Sequence, residues 1–219
     1  ISPMENTVYF LPNSDARQSQ IYFYIPMGDY NREENVRREA FNQYISGGFS
    51  GLIMNEIREK NSMAYTAYGF ASSCGLPGAQ TYFSGYIGTQ NDKAVDAIDL
   101  YMKLLTDMPE RPGRIDNIKS YLRQSALTDH PDSRNLSLRI AEWKRRGYTD
   151  DPAKKELPLI DSLTFPDIVD YYQKNIKGKP IIIGVLGNPK DISIDALKKF
   201  GKVIRLNEKK LFNEKDTMF

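Results

Sequence analysis

Histidine and cysteine each occur once in this sequence: His130, in Thr128-Asp129-His130-Pro131-Asp132, and Cys74, in Cys74-Gly75-Leu76-Pro77-Gly78. A catalytic zinc site takes three protein ligands, typically two or three of them His or Cys. One imidazole and one thiol, far apart in sequence, do not make that set. A Ser-His-Asp or Cys-His arrangement would hang on the same single histidine. The chain alone is therefore a poor candidate for metal-dependent hydrolysis, and no metal site is expected in it. His130, among turn-forming residues, reads as a solvated turn histidine. Cys74 lacks a nearby His or cationic cluster to activate its thiol. A lone cysteine also excludes an internal disulfide and leaves the redox compartment open. Gly47-Gly48 is not followed by Lys-Ser/Thr, so it is no phosphate-binding Walker loop and reads as a helix terminator.

Composition narrows the classes further. A chain of 219 residues, 40% of them apolar, can bury roughly 70% of its unfolded surface without a disulfide or metal. Thirty basic against 28 acidic residues leave a charge of +2, which is no electrostatic footprint for nucleic acid. Lys144-Arg145-Arg146 is a short basic run of the kind that solvates a helix end. No apolar run approaches the ~20 residues of a membrane-spanning helix. A soluble chain is expected, with no nucleic acid partner and no membrane insertion; bacterial periplasm and cytoplasm both remain open. Ile1 as first residue reads as a segment of a longer or processed polypeptide.

The elements that would position any site follow from periodicity. Residues 7–11 and 20–27 read as strands joined by Pro12-Asn13-Ser14-Asp15 in a hairpin. In the second, Ile21, Phe23 and Ile25 share one face, and Tyr22 and Tyr24 the other. A helix at 34–46 carries Val36, Ala40, Phe41, Tyr44 and Ile45 on one side and ends at Gly47-Gly48. Ser50 can cap a second helix, 51–60. Strands at 64–72 and 79–88 flank the loop of Cys74, and either could offer an edge to an extended peptide. Helices are expected at 92–108, 112–128, 134–146, 165–176 and 193–200. Trp143 falls at helical spacing from Ile140 and reads as core. Residues 180–186 are a continuous apolar run, the pattern of a strand inside a sheet, and 202–206 a last strand. Strands and helices come in runs, which predicts an α+β two-layer sandwich with a mostly antiparallel sheet and helices on one face. One domain is expected over 1–206, followed by a charged tail, 207–219.

The segment Gly47–Tyr65, GGFSGLIMNEIREKNSMAY, resembles the signature of the second domain of pitrilysin/insulinase-type zinc metallopeptidases, a family that includes mitochondrial processing peptidase. There a glycine pair and a serine precede a helix, the helix ends in an Arg-Glu-Lys-like turn, and a small residue plus Tyr open the next strand. The segment 162–188 resembles the family's ending, and the likeness runs over about residues 20–206. Gly47, Gly48 and Ser50 fall on the glycine-serine turn, Arg58 on the family's arginine and Tyr65 on its tyrosine. Asn61-Ser62-Met63 and Gly51 depart from the common pattern.

The resemblance implies a clamshell of homologous α/β domains. One domain holds zinc in an inverted H-x-x-E-H motif, and the following one, without zinc, supplies Arg and Tyr to the peptide substrate. This segment then has no cofactor of its own and zinc belongs to the complete enzyme. Its partner is a zinc-binding domain of the same polypeptide or a homologous subunit. Peptide hydrolysis builds negative charge on the carbonyl oxygen, where a phenol O–H and a guanidinium act as an oxyanion hole. Plainer readings stand beside this. Arg58 can simply complement its helix dipole, and Tyr65 can be one of 14 tyrosines half-buried in a strand. The whole domain can also be a structural scaffold of the same fold, or a stand-alone peptide-binding module.

Overall fold

The computed structural model describes residues 3–129 and 133–208. His130 and all but Asn207 and Glu208 of the expected tail lie outside the described residues. Six strands form one sheet: β1 (Thr7–Pro12), β2 (Ser19–Asp29), β3 (Thr66–Ser72), β4 (Gln80–Thr89), β5 (Ile182–Gly187) and β6 (Lys202–Arg205). Their order is β3-β4-β2-β5-β1-β6. The β3–β4, β4–β2 and β2–β5 pairings are antiparallel, while β5–β1 and β1–β6 are parallel.

The N-terminal hairpin is thus corrected. β5 inserts between β1 and β2, pairing Phe10↔Val185 on one side and Ile21↔Val185 on the other. The turn residues at 12–15 are real, but the Asn13 N–H goes to the Gly187 carbonyl, 2.9 Å away. An apolar strand gains most by pairing along both its edges, and the local turn chemistry does not oppose the insertion.

Seven α-helices are described: α1 (Asn35–Ser46), α2 (Ala94–Thr106), α3 (Ile115–Thr128), α4 (Leu136–Arg145), α5 (Pro152–Ser162), α6 (Phe165–Asn175) and the short α7 (Ile194–Leu197). Inward strand residues (Val8, Phe10, Ile21, Phe23, Ile25, Phe83, Ile87, Ile183, Val185) join Phe41, Tyr44, Ile98, Tyr101 and Ile168 from the helices in one core. The α+β two-layer architecture follows, with the helices on one face. Helix α5 is an addition to the sequence reading, which assigned no element between the helices at 134–146 and 165–176. Pro152 sits in its first turn, where no N–H is needed, and the Asp151 carboxylate accepts from Ala153 N at 2.9 Å. Pro158 is tolerated mid-helix because packing on α3 holds the helix: Ile160 is buried, and Arg123 and Lys119 bind Asp161 at 2.6 and 2.7 Å. Trp143 is only half-buried, on a helix without a buried residue, so it is not core.

The other sheet face is bare and aromatic. Tyr22 and Tyr24 of β2, Tyr68 and Phe70 of β3, and Tyr82 and Tyr86 of β4 cluster there, with ring centroids 5.1–6.1 Å apart. Tyr22 keeps 55% of its surface in solvent, and Tyr68 and Phe70 40% each.

Candidate functional site

The route to the site begins where α1 ends. Gly48 sits at φ +59°, a left-handed conformation that glycine adopts without strain. A methyl group on Gly47 would overlap the Gln43 carbonyl oxygen and stand 2.5 Å from Gln43 Cδ. Ser50 Oγ donates to the Gly47 carbonyl at 3.2 Å and accepts from Arg114 Nη2 at 3.3 Å. Gly47, Gly48 and Ser50 therefore aim the next helix, and none of them lines the site.

That helix departs from expectation. Leu52 and Ile53 are α-helical, but Met54–Lys60 is a π-helix, a wide-turn form often found at functional sites. Leu52, Ile53 and Ile57 are fully buried and anchor one side. Glu56 anchors the other, accepting from Lys60 at 2.9 Å and from Arg111. Burial pushes the Glu56 carboxyl up, but the hydrogen bonds and charges of Lys60 and Arg111 outweigh it and hold the group below its ordinary range. Asn61 Nδ2 donates to the Glu56 carbonyl at 2.6 Å. Ser62, at φ 50°, is the only non-glycine residue with positive φ among the described residues. Its left-handed turn, with Met63 N–H on the Ile57 carbonyl at 2.9 Å, reverses the chain into β3.

Arg58, on the last π turn, and Tyr65, just before β3, line the same cavity, of about 350 Å³. Ser62, Met63 and Ala64 form its near wall, and Thr89, Gln90 and Lys93 the far one. The β3–β4 ladder brings the walls together: the Tyr65 N–H donates to the Gly88 carbonyl at 2.9 Å, and Thr89 Oγ1 donates to the Met63 carbonyl. Gln90 Nε2 donates to Tyr65 Oη at 3.2 Å, leaving the phenolic hydrogen for another acceptor. The nearest carboxylate to Arg58 is Glu59, 3.6 Å from Nε. Arg58 and Tyr65 are about half exposed, with 45% and 56% of their surface in solvent. The cavity thus offers a guanidinium fork and a phenol O–H to an oxygen acceptor. Sequence reading gave no role to Thr89, Gln90 or Lys93; the signal that finds them is hairpin register, which sets the end of β4 beside the start of β3.

The strand edges are less available than expected. β4 lies between β3 and β2 and has no free edge. β3 is an edge strand, but α1 occupies part of it. Ser46 Oγ accepts from Gly69 N at 2.8 Å, and Asn42 exchanges hydrogen bonds of 2.7 and 3.1 Å with the Ala71 N–H and carbonyl. A peptide cannot add along Gly69–Ala71 without displacing them. Cys74 is exposed. Among the described residues no group of three or more His, Cys, Asp or Glu side chains could hold a metal ion. No helix among them is long and apolar enough to cross a membrane.

Comparison with known proteins bears on this arrangement. Residues 3–113 match the family described as "Peptidase M16 inactive domain". An uncharacterised zinc protease of Streptomyces coelicolor is 27% identical over 162 residues, which is 69% of this chain and 33% of that protein. A peptidase M16 inactive domain from Pseudomonas fluorescens superposes with a TM-score of 0.68 at 15% identity, over 86% of this chain and 45% of the other. The periplasmic protease PqqL from Escherichia coli superposes with a TM-score of 0.65 at 15% identity, over 85% of this chain and 21% of the other. The chain spans about a third of the curated relative and under half of either solved structure.

Proposed function

The chain belongs to the peptidase M16 inactive-domain family, and we propose that it is the substrate-binding, zinc-free half of a metallopeptidase clamshell. The zinc and the attacking water belong to a separate half, in the same polypeptide or a homologous subunit. This chain binds the peptide and polarises the scissile carbonyl. The observation that carries the reading is the shared cavity of Arg58 and Tyr65. As the carbonyl carbon becomes tetrahedral, its oxygen gains negative charge. The Tyr65 hydroxyl, freed by the Gln90 hydrogen bond, donates to that oxygen, and the Arg58 fork holds a neighbouring substrate carbonyl. Donors fixed in place strengthen with the developing charge, so they lower the barrier more than they tighten ground-state binding.

The test is Tyr65→Phe in the chain assembled with its zinc-bearing half. Losing one oxyanion donor is expected to lower kcat about 100-fold, the lower end of the range for such donors because Tyr65 is half exposed. KM changes little and the melting temperature is preserved. Unchanged kcat would remove the hydroxyl from the mechanism.

A further inference from the structure

The cavity holds more positive charge than a peptide carbonyl needs. Arg58 and Lys93 both line it, against a single carboxylate, Glu59. Lys93 is a lysine that lines this cavity without a carboxylate of its own. Lys60, Lys103, Lys154, Lys174 and Lys198 each meet a carboxylate within 3 Å. Lys93 has no carboxylate partner among the described residues; its Nζ instead reaches the Ser62 carbonyl, at a long 3.4 Å. Ser62 is the residue in the left-handed conformation. The Ser62 carbonyl, in a backbone geometry that L-residues adopt at a cost, thus stands beside the Lys93 ammonium at the cavity wall.

A neutral peptide seated on Arg58 and Tyr65 would partly desolvate that ammonium and give it no new partner. A carboxylate accepts through two oxygens and meets both cations. A volume of about 350 Å³ is at the lower end of ligand sites and suits one side chain beside a peptide unit. We propose that this cavity is a carboxylate-selecting subsite with Lys93 as its specificity-determining residue. It favours peptides bearing an Asp or Glu side chain, or a free C-terminal carboxylate, beside the carbonyl held by Arg58 and Tyr65. The inference rests on the peptide-binding reading of the same cavity and adds a substrate class to it.

The experiment uses the isotope-labelled 219-residue chain and two sets of peptides. In one, N-acetylated, C-amidated peptides carry Asp or its isostere Asn at each central position in turn. In the other, an apolar peptide ends in a free carboxylate or an amide. Backbone amide shifts around Arg58, Tyr65 and Lys93 locate binding and give Kd. At least one carboxylate form is expected to bind about fivefold tighter than its neutral isostere, the scale of a half-exposed charge pair. The preference should shrink as ionic strength rises, and the set in which it appears identifies the carboxylate's source. Lys93→Met abolishes the preference by weakening binding of the carboxylate form, with the melting temperature unchanged, while Lys93→Glu turns the preference toward a Lys-bearing peptide. Equal Kd for every acid and its isostere, or a preference that survives Lys93→Met, overturns the subsite while leaving the peptide-binding reading standing. Peptides that shift no amide around Arg58 and Tyr65 in any form overturn both.

Discussion

Gly69 and Gly85 face each other across the β3–β4 ladder, and together they make room for one phenol. Tyr101 of α2, fully buried, donates from Oη to the Tyr68 carbonyl at 2.9 Å, and its ring stacks on Phe23 at 4.0 Å and 7°. A methyl group on Gly85 would overlap Tyr101 Oη and lie 2.8 Å from Cζ; everything within 3.1 Å of it is Tyr101. The ring has no empty side to move toward, because displacement drives it against Phe23 and breaks the bond to Tyr68. Overpacking of this kind costs about 1–3 kcal/mol, and the lost buried hydrogen bond adds about 1 kcal/mol. Gly85→Ala should therefore destabilise the fold by about 2–4 kcal/mol, a fall in melting temperature of roughly 5–15 °C. Tyr101→Phe should cost about 1 kcal/mol, the hydrogen bond alone. The double variant then costs less than the sum of the two by about 1 kcal/mol or more, since the bond is lost only once and the worst overlap is gone. Urea denaturation of the four proteins measures the cycle. A Gly85→Ala variant within 0.5 kcal/mol of the parent, or strictly additive costs, would refute this account of how α2 is pinned to the strand leading from Tyr65.

The glycine-serine turn gives a second stability test. Gly47→Ala meets main-chain and side-chain atoms of Gln43, whereas a Gly48 methyl meets nothing within 4 Å. Gly48→Ala should thus cost only the left-handed strain, about 1 kcal/mol, and Gly47→Ala clearly more; the reverse order in thermal melts would contradict it. Glu56 gives a pH test. Its carboxyl is held below the ordinary value of 4.5, so its contribution is fully present above pH 4.5 and is lost as pH falls through the depressed folded value. Denaturant titrations between pH 6 and 3 should show the parent losing more stability than Glu56→Gln over the acid part of that window; parallel curves would mean that the Lys60 and Arg111 contacts do not stabilise the fold.

Local patterns announced most of the elements and little of their pairing. Alternation in β2 separates Ile21, Phe23 and Ile25 from Tyr22 and Tyr24, because a half-covered sheet imposes a period of two. The insertion of β5 beside β1 left no local trace, since parallel pairing needs no turn between its partners. The π-helix also escaped periodicity. Leu52, Ile53 and Ile57 suit α spacing, and the widened turns show themselves only through contacts distant in sequence, such as Arg111 on Glu56. At the site, Arg58 and Tyr65 were visible through their resemblance to a family signature, whereas Gln90 and Lys93 carry no motif and enter through strand register.

The bare aromatic face and the cavity share a strand, and this links fold to function. Tyr68 and Phe70 project from β3 into solvent, and Tyr65 stands at its head. Exposed apolar clusters can mark surfaces that another body covers. On the proposed reading the zinc-bearing half supplies the cover. Its arrival would also remove water from around β3, and with it the screening that weakens the half-exposed Arg58 and Tyr65 donors. Charge–dipole interactions strengthen several-fold as the effective dielectric falls from that of water toward that of a protein surface. The same donors that bind a free peptide weakly would then act strongly on a carbonyl oxygen gaining charge, so catalysis would require both halves even though the donors all belong to one.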